Sequence, residues 1–229
     1  FIAATTEAGL ARAVPRSLAA AAERLVLAPR LFARLADAKT PQEPLVLVTP
    51  PRADTLNSMT SAHVLASVRR LLVADAIQDP GNVGALLRSA GAFGFSHFIA
   101  TPATAAPETA KVLRASAGAL FRMHLLPVLP AQGLAVELLR LGFLVVVLDA
   151  NAQLRMEEIP WCDPVAIVVG NEAHGPSDAW CLDTKAAPPA GRILRARIAM
   201  TPCSESLNAS IAGSIALYEA SRRLGLSAP

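Results

Sequence analysis

Three short polar motifs hold the residues of this chain that could carry out chemistry. They lie at residues 82–88, 170–175 and 206–210, each at an end of an apolar segment. The first two follow the strand-like runs 71–75 and 165–169, and the third opens a helical run. Polar residues at the carboxyl ends of parallel strands are where open α/β sheets bind ligands. Three such motifs in one domain therefore predict a binding site and favour an enzyme.

The first motif combines an amide with a guanidinium group. Asn82 stands at the expected start of a helix, where its side chain could cap the first turn, and Gly84 would let a ligand approach closely. Arg88 follows nearly two turns later and is expected on roughly the same side of the helix. Together, an amide and a guanidinium suit a phosphate or a polarised hydroxyl. An ordinary helix cap with a surface arginine would give the same pattern.

The second motif predicts a tight loop. Gly170 and Gly175 bracket the polar pair Asn171 and Glu172, directly after a buried strand. The exposed backbone amides of such a loop could hold the polar groups of a small ligand, and the carboxylate could accept hydrogen bonds from hydroxyl or amino groups. An ordinary strand-to-helix turn remains the alternative interpretation.

The third motif surrounds a helix start. Ser206 could be a plain N-cap, or Ser206 and Asn208 could form the floor of a site for an anionic or carboxylate-bearing ligand at the helix N-terminus. Asn208 is a poor helix former, which favours the functional interpretation. His174 and Cys203 are expected to have no catalytic role, since no triad order is evident.

Composition excludes several classes of protein. The chain of 229 residues is 53% hydrophobic and 17% charged, which excludes a disordered chain. Its net charge of +3 permits a polyanionic partner such as RNA. No apolar run reaches the roughly 18 residues that span a bilayer, so no membrane partner is expected. The three cysteines and four histidines lack metal-site spacing, so no metal is expected and the thiols predict an intracellular compartment.

The apolar pattern predicts an α/β protein with a parallel sheet covered by helices on both faces. Strands are expected at residues 45–48, 71–75, 97–100, 121–128, 143–149, 166–169 and 193–200. Helices are expected at residues 82–93, 107–115, 134–141 and 207–224, and over much of 8–38, where 25–27 could instead be a strand. The predicted organisation is a small domain at 1–52, an irregular linker or insertion at 53–68, and a main domain at 69–229.

Taken together, these motifs resemble the SpoU/TrmH family of RNA 2′-O-ribose methyltransferases, within the SPOUT superfamily. The resemblance covers roughly two thirds of the chain. It rests on four segments that occur in the family's order, at residues 79–90, 114–119, 167–175 and 197–210. The chain departs from the family pattern at Ala199, where proline is usual, and at Pro176, where an aliphatic residue is common.

The resemblance implies a fold, a cofactor and residue roles. The fold would be an α/β sheet with a C-terminal trefoil knot, preceded by part of an L30e-like RNA-binding domain. The cofactor would be S-adenosylmethionine, with no metal. Arg88 would be the catalytic arginine, positioned by Asn82 and helped by three further residues, Glu172, Ser206 and Asn208. The cofactor would contact Gly170, Asn171, Glu172, Gly175, Ile198, Met200, Leu207 and Asn208.

The resemblance also implies partners. We expect ribosomal RNA as the first candidate substrate and transfer RNA as the second, a homodimer with the active site formed across it, and location in a bacterial cytoplasm or an organelle. A heterodimer with a related chain is the other expected assembly. Two other functions fit the same fold: a catalytically silent ribosome assembly factor, and methylation of a base. A dehydrogenase is disfavoured because no G-x-G-x-x-G fingerprint is present.

Overall fold

A computed structural model describes residues 2–11, 23–36, 40–47, 64–182, 191–201, 203 and 206–225. The chain divides into two compact units, residues 1–51 and residues 52–229. Each unit has its own sheet.

Among its described residues, the first unit has a three-stranded sheet and two helices. In chain order its elements are β1 (Ile2–Ala4), α1 (Glu7–Ala11), β2 (Arg24–Val26), α2 (Pro29–Ala36) and β3 (Leu45–Val46). β1 lies between β2, to which it runs parallel, and β3, to which it runs antiparallel. The helix expected over much of 8–38 is interrupted by β2, which agrees with the strand alternative at 25–27, and residues 12–22 and 37–39 lie outside the described residues.

The second unit is built on a seven-stranded sheet. Its strands are β4 (Arg70–Ala74), β5 (His97–Ala100), β6 (His124–Leu125), β7 (Leu144–Leu148), β8 (Leu154–Arg155), β9 (Val165–Val169) and β10 (Arg192–Arg197). The strand order is β6-β5-β4-β9-β7-β10-β8, and every pairing in it is parallel across the described residues. The predicted parallel sheet is confirmed. Because its strands are parallel, their carboxyl ends all lie at the same edge of the sheet.

Helices cover both faces of this sheet. They are α3 (Pro80–Ala92), α4 (Ala110–Ala115), α5 (Ala131–Arg140) and α6 (Ala209–Arg223). Because strand side chains alternate between faces, Leu72 and Ala74 join one core with α3, α4 and α6, whereas Leu71 and Val73 join the other with α5. Apolar residues at consecutive strand positions are therefore buried on both sides.

The strand predicted at residues 121–128 is wrong over most of its length. The structure has a 3₁₀ turn at Ala119–Arg122, followed by the two-residue strand β6. Two residues with left-handed backbone precede the turn, Ala117 at φ 48° and Gly118 at φ 81°. This reversal directs Phe121 to the surface. The strand was predicted because Phe121 is apolar, but its side chain is exposed.

The linker predicted at 53–68 contains a core element at its end. Residues 64–67 form a helical turn, and Leu65 and Val68 are buried against the α5 side of the sheet. Residues 52–63 lie outside the described residues, as do residues 188–190 of the turn that the sequence Pro188-Pro189-Ala190-Gly191 predicts. Of the helices that the structure describes, none combines the length and apolarity needed to cross a membrane.

Candidate functional site

The three predicted motifs meet at the carboxyl edge of the second sheet. Asn208 donates from Nδ2 to Oδ1 of Asn82 at 3.0 Å, and Asn82 donates from its own Nδ2 to Oε1 of Glu172 at 2.8 Å. The backbone N–H of Gln78 lies 3.5 Å from Oε2 of Glu172. One hydrogen-bonded chain therefore joins residues that are 126 and 90 positions apart in sequence.

The helix starts at this site differ from those predicted. Asp79 rather than Asn82 caps α3, by accepting from the backbone N–H of Gly81 at 2.9 Å. Asn208 rather than Ser206 caps α6, because its Oδ1 accepts from the N–H groups of Ser210 and Ile211. Asn208 therefore uses its oxygen to cap the helix and its nitrogen to hold Asn82.

Asn82 and Arg88 do not lie on the same side of α3. Six residues turn an α-helix by about 600°, which leaves the two side chains about 120° apart. Asn82 is buried, with 6% of its surface exposed, whereas Arg88 is exposed and has no hydrogen bond or ion pair with any described residue. The expected same-side pair is therefore wrong: Asn82 is held inside the site and Arg88 is presented to solvent or to a partner.

The loop after β9 is closed on itself. Asn171 and Gly175 exchange both backbone hydrogen bonds, at 3.0 and 2.9 Å, and the side-chain oxygen of Asn171 accepts from the N–H groups of Ala173 and His174. Its Nδ2 donates to the carbonyl of Ala76 at 2.8 Å. Asn171 therefore shapes the loop and ties it to the end of β4.

Gly170 is required by a close approach of the backbone. A Cβ at this position would lie 2.5 Å from the carbonyl carbon of Gly175 and from the Cα of Pro176. Such distances are not available to real Cβ atoms, and the atoms involved belong to the backbone, so any side chain here would displace the loop.

Asp75 anchors the same loop and was not singled out from the sequence. Its carboxylate is 2% exposed and accepts from Thr101 Oγ1 at 2.9 Å, Ser177 N at 2.8 Å and Trp180 Nε1 at 3.0 Å. The available signal was an acidic residue directly after a buried strand. The same signal marks Asp149 after β7, which pairs with Arg195 at 3.1 Å.

A cavity of about 540 Å³ opens beside these loops. That volume is within the usual range of small-molecule sites. Eight of the predicted residues line it: Gly170, Asn171, Glu172, Gly175, Ile198, Met200, Ser206 and Leu207. Asn82, Arg88 and Asn208 are not among its lining residues, whereas Asp149 and Arg195 are. The cavity thus combines carboxylates, backbone groups and apolar side chains.

Metal chemistry has no support in the described part of the chain. Within the ranges that the structure describes, no three His, Cys, Asp or Glu side chains are grouped as metal ligands would be. His174 and the three cysteines, Cys162, Cys181 and Cys203, are exposed.

Comparison with known proteins identifies the family. The profile described as "SpoU rRNA Methylase family" matches residues 69–218, which is most of the second unit. The chain belongs to this family. Its first motif opens α3, its second follows β9 and its third caps α6, all within the matched range.

A curated relative agrees with this assignment. An "Uncharacterized tRNA/rRNA methyltransferase" of Mycobacterium ulcerans is 36% identical over 169 residues, which cover 71% of this chain and 50% of that protein. This chain therefore spans about half the length of that curated relative.

Two solved structures share the fold. The SpoU methyltransferase AviRb from Streptomyces viridochromogenes, crystallised with AdoMet, has 27% identity and a TM-score of 0.68, covering 88% of this chain and 74% of that chain. A crystal structure described as an RNA 2′-O ribose methyltransferase has 25% identity and a TM-score of 0.65, covering 90% of this chain and 74% of that chain.

Proposed function

We propose that this protein transfers a methyl group from S-adenosylmethionine to a ribose 2′-hydroxyl in RNA. The observation that carries the proposal is the hydrogen-bonded chain Asn208–Asn82–Glu172 beside the cavity. It joins the three family motifs into one site. S-adenosylmethionine is the expected cofactor, since a solved member of the family binds AdoMet.

The cavity fits this cofactor. S-adenosylmethionine carries an adenine, a ribose, a cationic sulfonium and an amino-acid end, so it needs apolar, polar and acidic surfaces together. Ile198, Met200 and Leu207 supply apolar surface, the 170–175 loop supplies backbone groups, and Glu172 and Asp149 supply carboxylates. When bound, the cofactor would supply an electrophilic methyl group.

The protein's own groups then have distinct roles. Glu172 and Asn82 fix the loop geometry through their mutual hydrogen bond, and Asn208 fixes the orientation of the Asn82 amide. Arg88 would contact the RNA. A guanidinium is a poor base, so we assign to it a bidentate grip on a phosphate and stabilisation of the oxyanion that develops at the 2′-oxygen.

Arg88 does not line the cavity of its own chain. This supports a homodimer in which Arg88 serves the partner's cofactor, with a heterodimer as the other arrangement. The apolar residues exposed along α6, Ile211, Ile215 and Tyr218, support such an interface. The dimer, the C-terminal trefoil knot and an L30e-like identity for residues 1–52 are all parts of this proposal.

Ribosomal RNA is the substrate that we propose first, with transfer RNA second. The curated relative's name includes both classes of RNA, and the family's description names ribosomal RNA. We also propose that the protein works inside the cell, in a bacterial cytoplasm or an organelle.

A methyl-transfer assay tests the proposal. Tritiated S-adenosylmethionine is incubated with the protein and with ribosomal or transfer RNA transcripts, and the labelled sites are mapped by their resistance to alkaline cleavage, which 2′-O-methylation confers. Label in alkali-labile positions would instead show base methylation. If the protein binds RNA but neither transfers a methyl group nor binds S-adenosylhomocysteine, the result would instead show a silent assembly factor.

Arg88→Ala separates chemistry from cofactor binding. Transfer should fall by about 10²–10³, the cost of losing one charge-stabilising group, while the affinity for S-adenosylhomocysteine measured by calorimetry stays nearly unchanged. Arg140→Ala is the matched control, because Arg140 is an exposed arginine paired with Glu137 on the opposite face of the sheet. Normal turnover of Arg88→Ala would refute the proposed role of this residue.

A further inference from the structure

Phe121 is the most exposed large apolar side chain among the described residues of the second unit, at 67%. It lies in the 3₁₀ turn Ala119–Arg122, in which Ala119 and Leu120 are buried. The left-handed backbone at Ala117 and Gly118 and this pair of buried residues fix the turn on the core. The ring of Phe121 therefore projects into solvent from a turn that is anchored on the core.

The turn lies next to the helix face that carries Arg88. Gly84, Arg88 and Gly91 share one face of α3, because they are spaced by four and three residues. A Cβ at Gly84 would lie 2.8 Å from the carbonyl oxygen of Val112, and one at Gly91 would lie 3.8 Å from the Cβ of Ala119. Arg88 therefore leaves α3 between the end of α4 and the turn that holds Phe121.

The segment that contains Arg88 and this turn carries a net positive charge. Residues 80–129 contain four lysine or arginine residues but one carboxylate, Glu108. The four cations, all exposed, are Arg88, Lys111, Arg114 and Arg122. Arg122 directly follows Phe121, and neither Arg122 nor Lys111 has a hydrogen bond or ion pair with another described residue.

We propose that Phe121 is a stacking platform for an unpaired base of the RNA substrate, with Arg122, the next residue, holding a phosphate beside it. The proposal rests on the proposed function, and it adds a residue that positions the RNA and does not line the cofactor cavity. Exposed aromatic rings among cations are how proteins bind single-stranded RNA, by stacking and phosphate contact together. A second copy of the chain fits less well, since two copies of the same cationic surface would repel each other.

The test measures binding of a short single-stranded RNA that carries 2-aminopurine, whose fluorescence reports stacking. Phe121→Ala should weaken binding about tenfold or more and remove the fluorescence change. Phe121→Trp should restore both, whereas Phe121→Leu, which keeps apolar area without a π-face, should behave like the alanine variant. Val136→Ala is the matched control, because Val136 is an exposed apolar residue on α5, across the sheet, and should bind like the wild type.

The phosphate contact has its own readout. Arg122→Gln should lower the slope of log affinity against log salt by about 0.7, the value for one phosphate contact on a single strand. Arg140→Gln, which removes an exposed arginine on the far face, should leave the slope unchanged. An unchanged slope for Arg122→Gln would refute the phosphate contact.

The outcomes separate this inference from the proposed function. If Phe121→Leu binds RNA as the wild type does, the stacking role is wrong. If Phe121→Ala converts an oligomer to a monomer, a second copy of the chain covers the ring and the inference is also wrong. If the wild type transfers no methyl group while the RNA-binding series behaves as expected, the proposed reaction fails and the RNA surface stands.

Discussion

At the scale of single residues, Asp75 is the carboxylate that holds the site's loop to the sheet. Asp75→Asn keeps the shape but replaces an acceptor with a donor among the three groups that donate to it, Thr101, Ser177 and Trp180. We expect the free energy of unfolding to fall by about 2–3 kcal/mol. Urea denaturation followed by tryptophan fluorescence measures it. The control is Asp178→Asn, at an exposed position between Ser177 and Trp180 in the sequence. It should change the free energy of unfolding by less than about 0.5 kcal/mol.

His97 gives the stability a dependence on pH. Burial first, and the neighbouring His124 second, lower the pKa of His97 below its ordinary value of 6.5. The unfolded chain therefore binds the proton more readily, and stability is lost as the pH falls below 6.5 toward the lowered pKa. His97→Gln should reduce the loss in urea midpoint between about pH 7.5 and pH 5.5. His124→Gln should reduce it less, and the opposite order would show that charge rather than burial is the main cause.

Many residues of the candidate site could be identified from the sequence, but their individual roles could not. Motif spacing identified Asn82, Glu172 and Asn208, because polar side chains at strand ends stand out against apolar runs. It could not show that Asn208 rather than Ser206 caps α6, since both are good caps and the choice depends on where the chain turns. It also missed Asp75, because an acid after a strand has no distinguishing spacing of its own.

At the scale of elements, Asn208 links the start of α6 to α3. Asn208→Ala removes both the cap and the bond to Asn82, so we expect a loss of about 1 kcal/mol or more in stability together with weaker S-adenosylhomocysteine binding. Asn208→Asp keeps the capping oxygen but lacks the Nδ2 donor. It should retain most of the stability and still bind the ligand less tightly. Equal behaviour of the two variants in both calorimetry and thermal unfolding would contradict this division of roles.

The close approach of the backbone at Gly170 predicts a contrast between two glycines. Gly170→Ala would press a methyl group into the backbone of the 170–175 loop and the residue after it, so S-adenosylhomocysteine binding should be lost and stability should fall by about 2 kcal/mol or more. Gly133→Ala, within α5, meets nothing within 4 Å and should raise stability by roughly 0.5–1 kcal/mol. Calorimetry and urea denaturation of both variants measure the contrast. Cofactor binding by Gly170→Ala would show that the loop does not form the pocket.

Element types were predictable where apolar runs were long. β7 and β9 are apolar over all five residues and β4 over four, and each of these strands overlaps closely with a predicted one. The failure at residues 121–128 has a physical cause: left-handed residues reverse the chain there, and their effect depends on tertiary packing that the pattern does not contain. The order β9 between β4 and β7 could not be deduced, since strands buried on both faces look alike in sequence.

At the scale of the whole molecule, the apolar surface of α6 predicts self-association. Ile211, Ile215 and Tyr218 on α6, and Leu207 just before it, are 37–53% exposed, so this apolar side of the helix faces outward. Light scattering should give about twice the chain mass of 23.9 kDa. Ile211→Asp combined with Ile215→Asp should give a monomer, while Val136→Asp, on the opposite face of the sheet, should not. A wild-type monomer at micromolar concentration would rule out the homodimer.

The order of strands in the second sheet also sets the timing of its assembly. β4 pairs on one side with β5, 26 residues later in sequence, and on the other with β9, 95 residues later. At roughly 5–20 residues per second, translation delivers the second neighbour on the order of 5–20 seconds after β4 itself. Throughout that interval an apolar strand destined for the middle of the sheet has an open edge, accessible to chaperones and to other nascent chains on the same messenger.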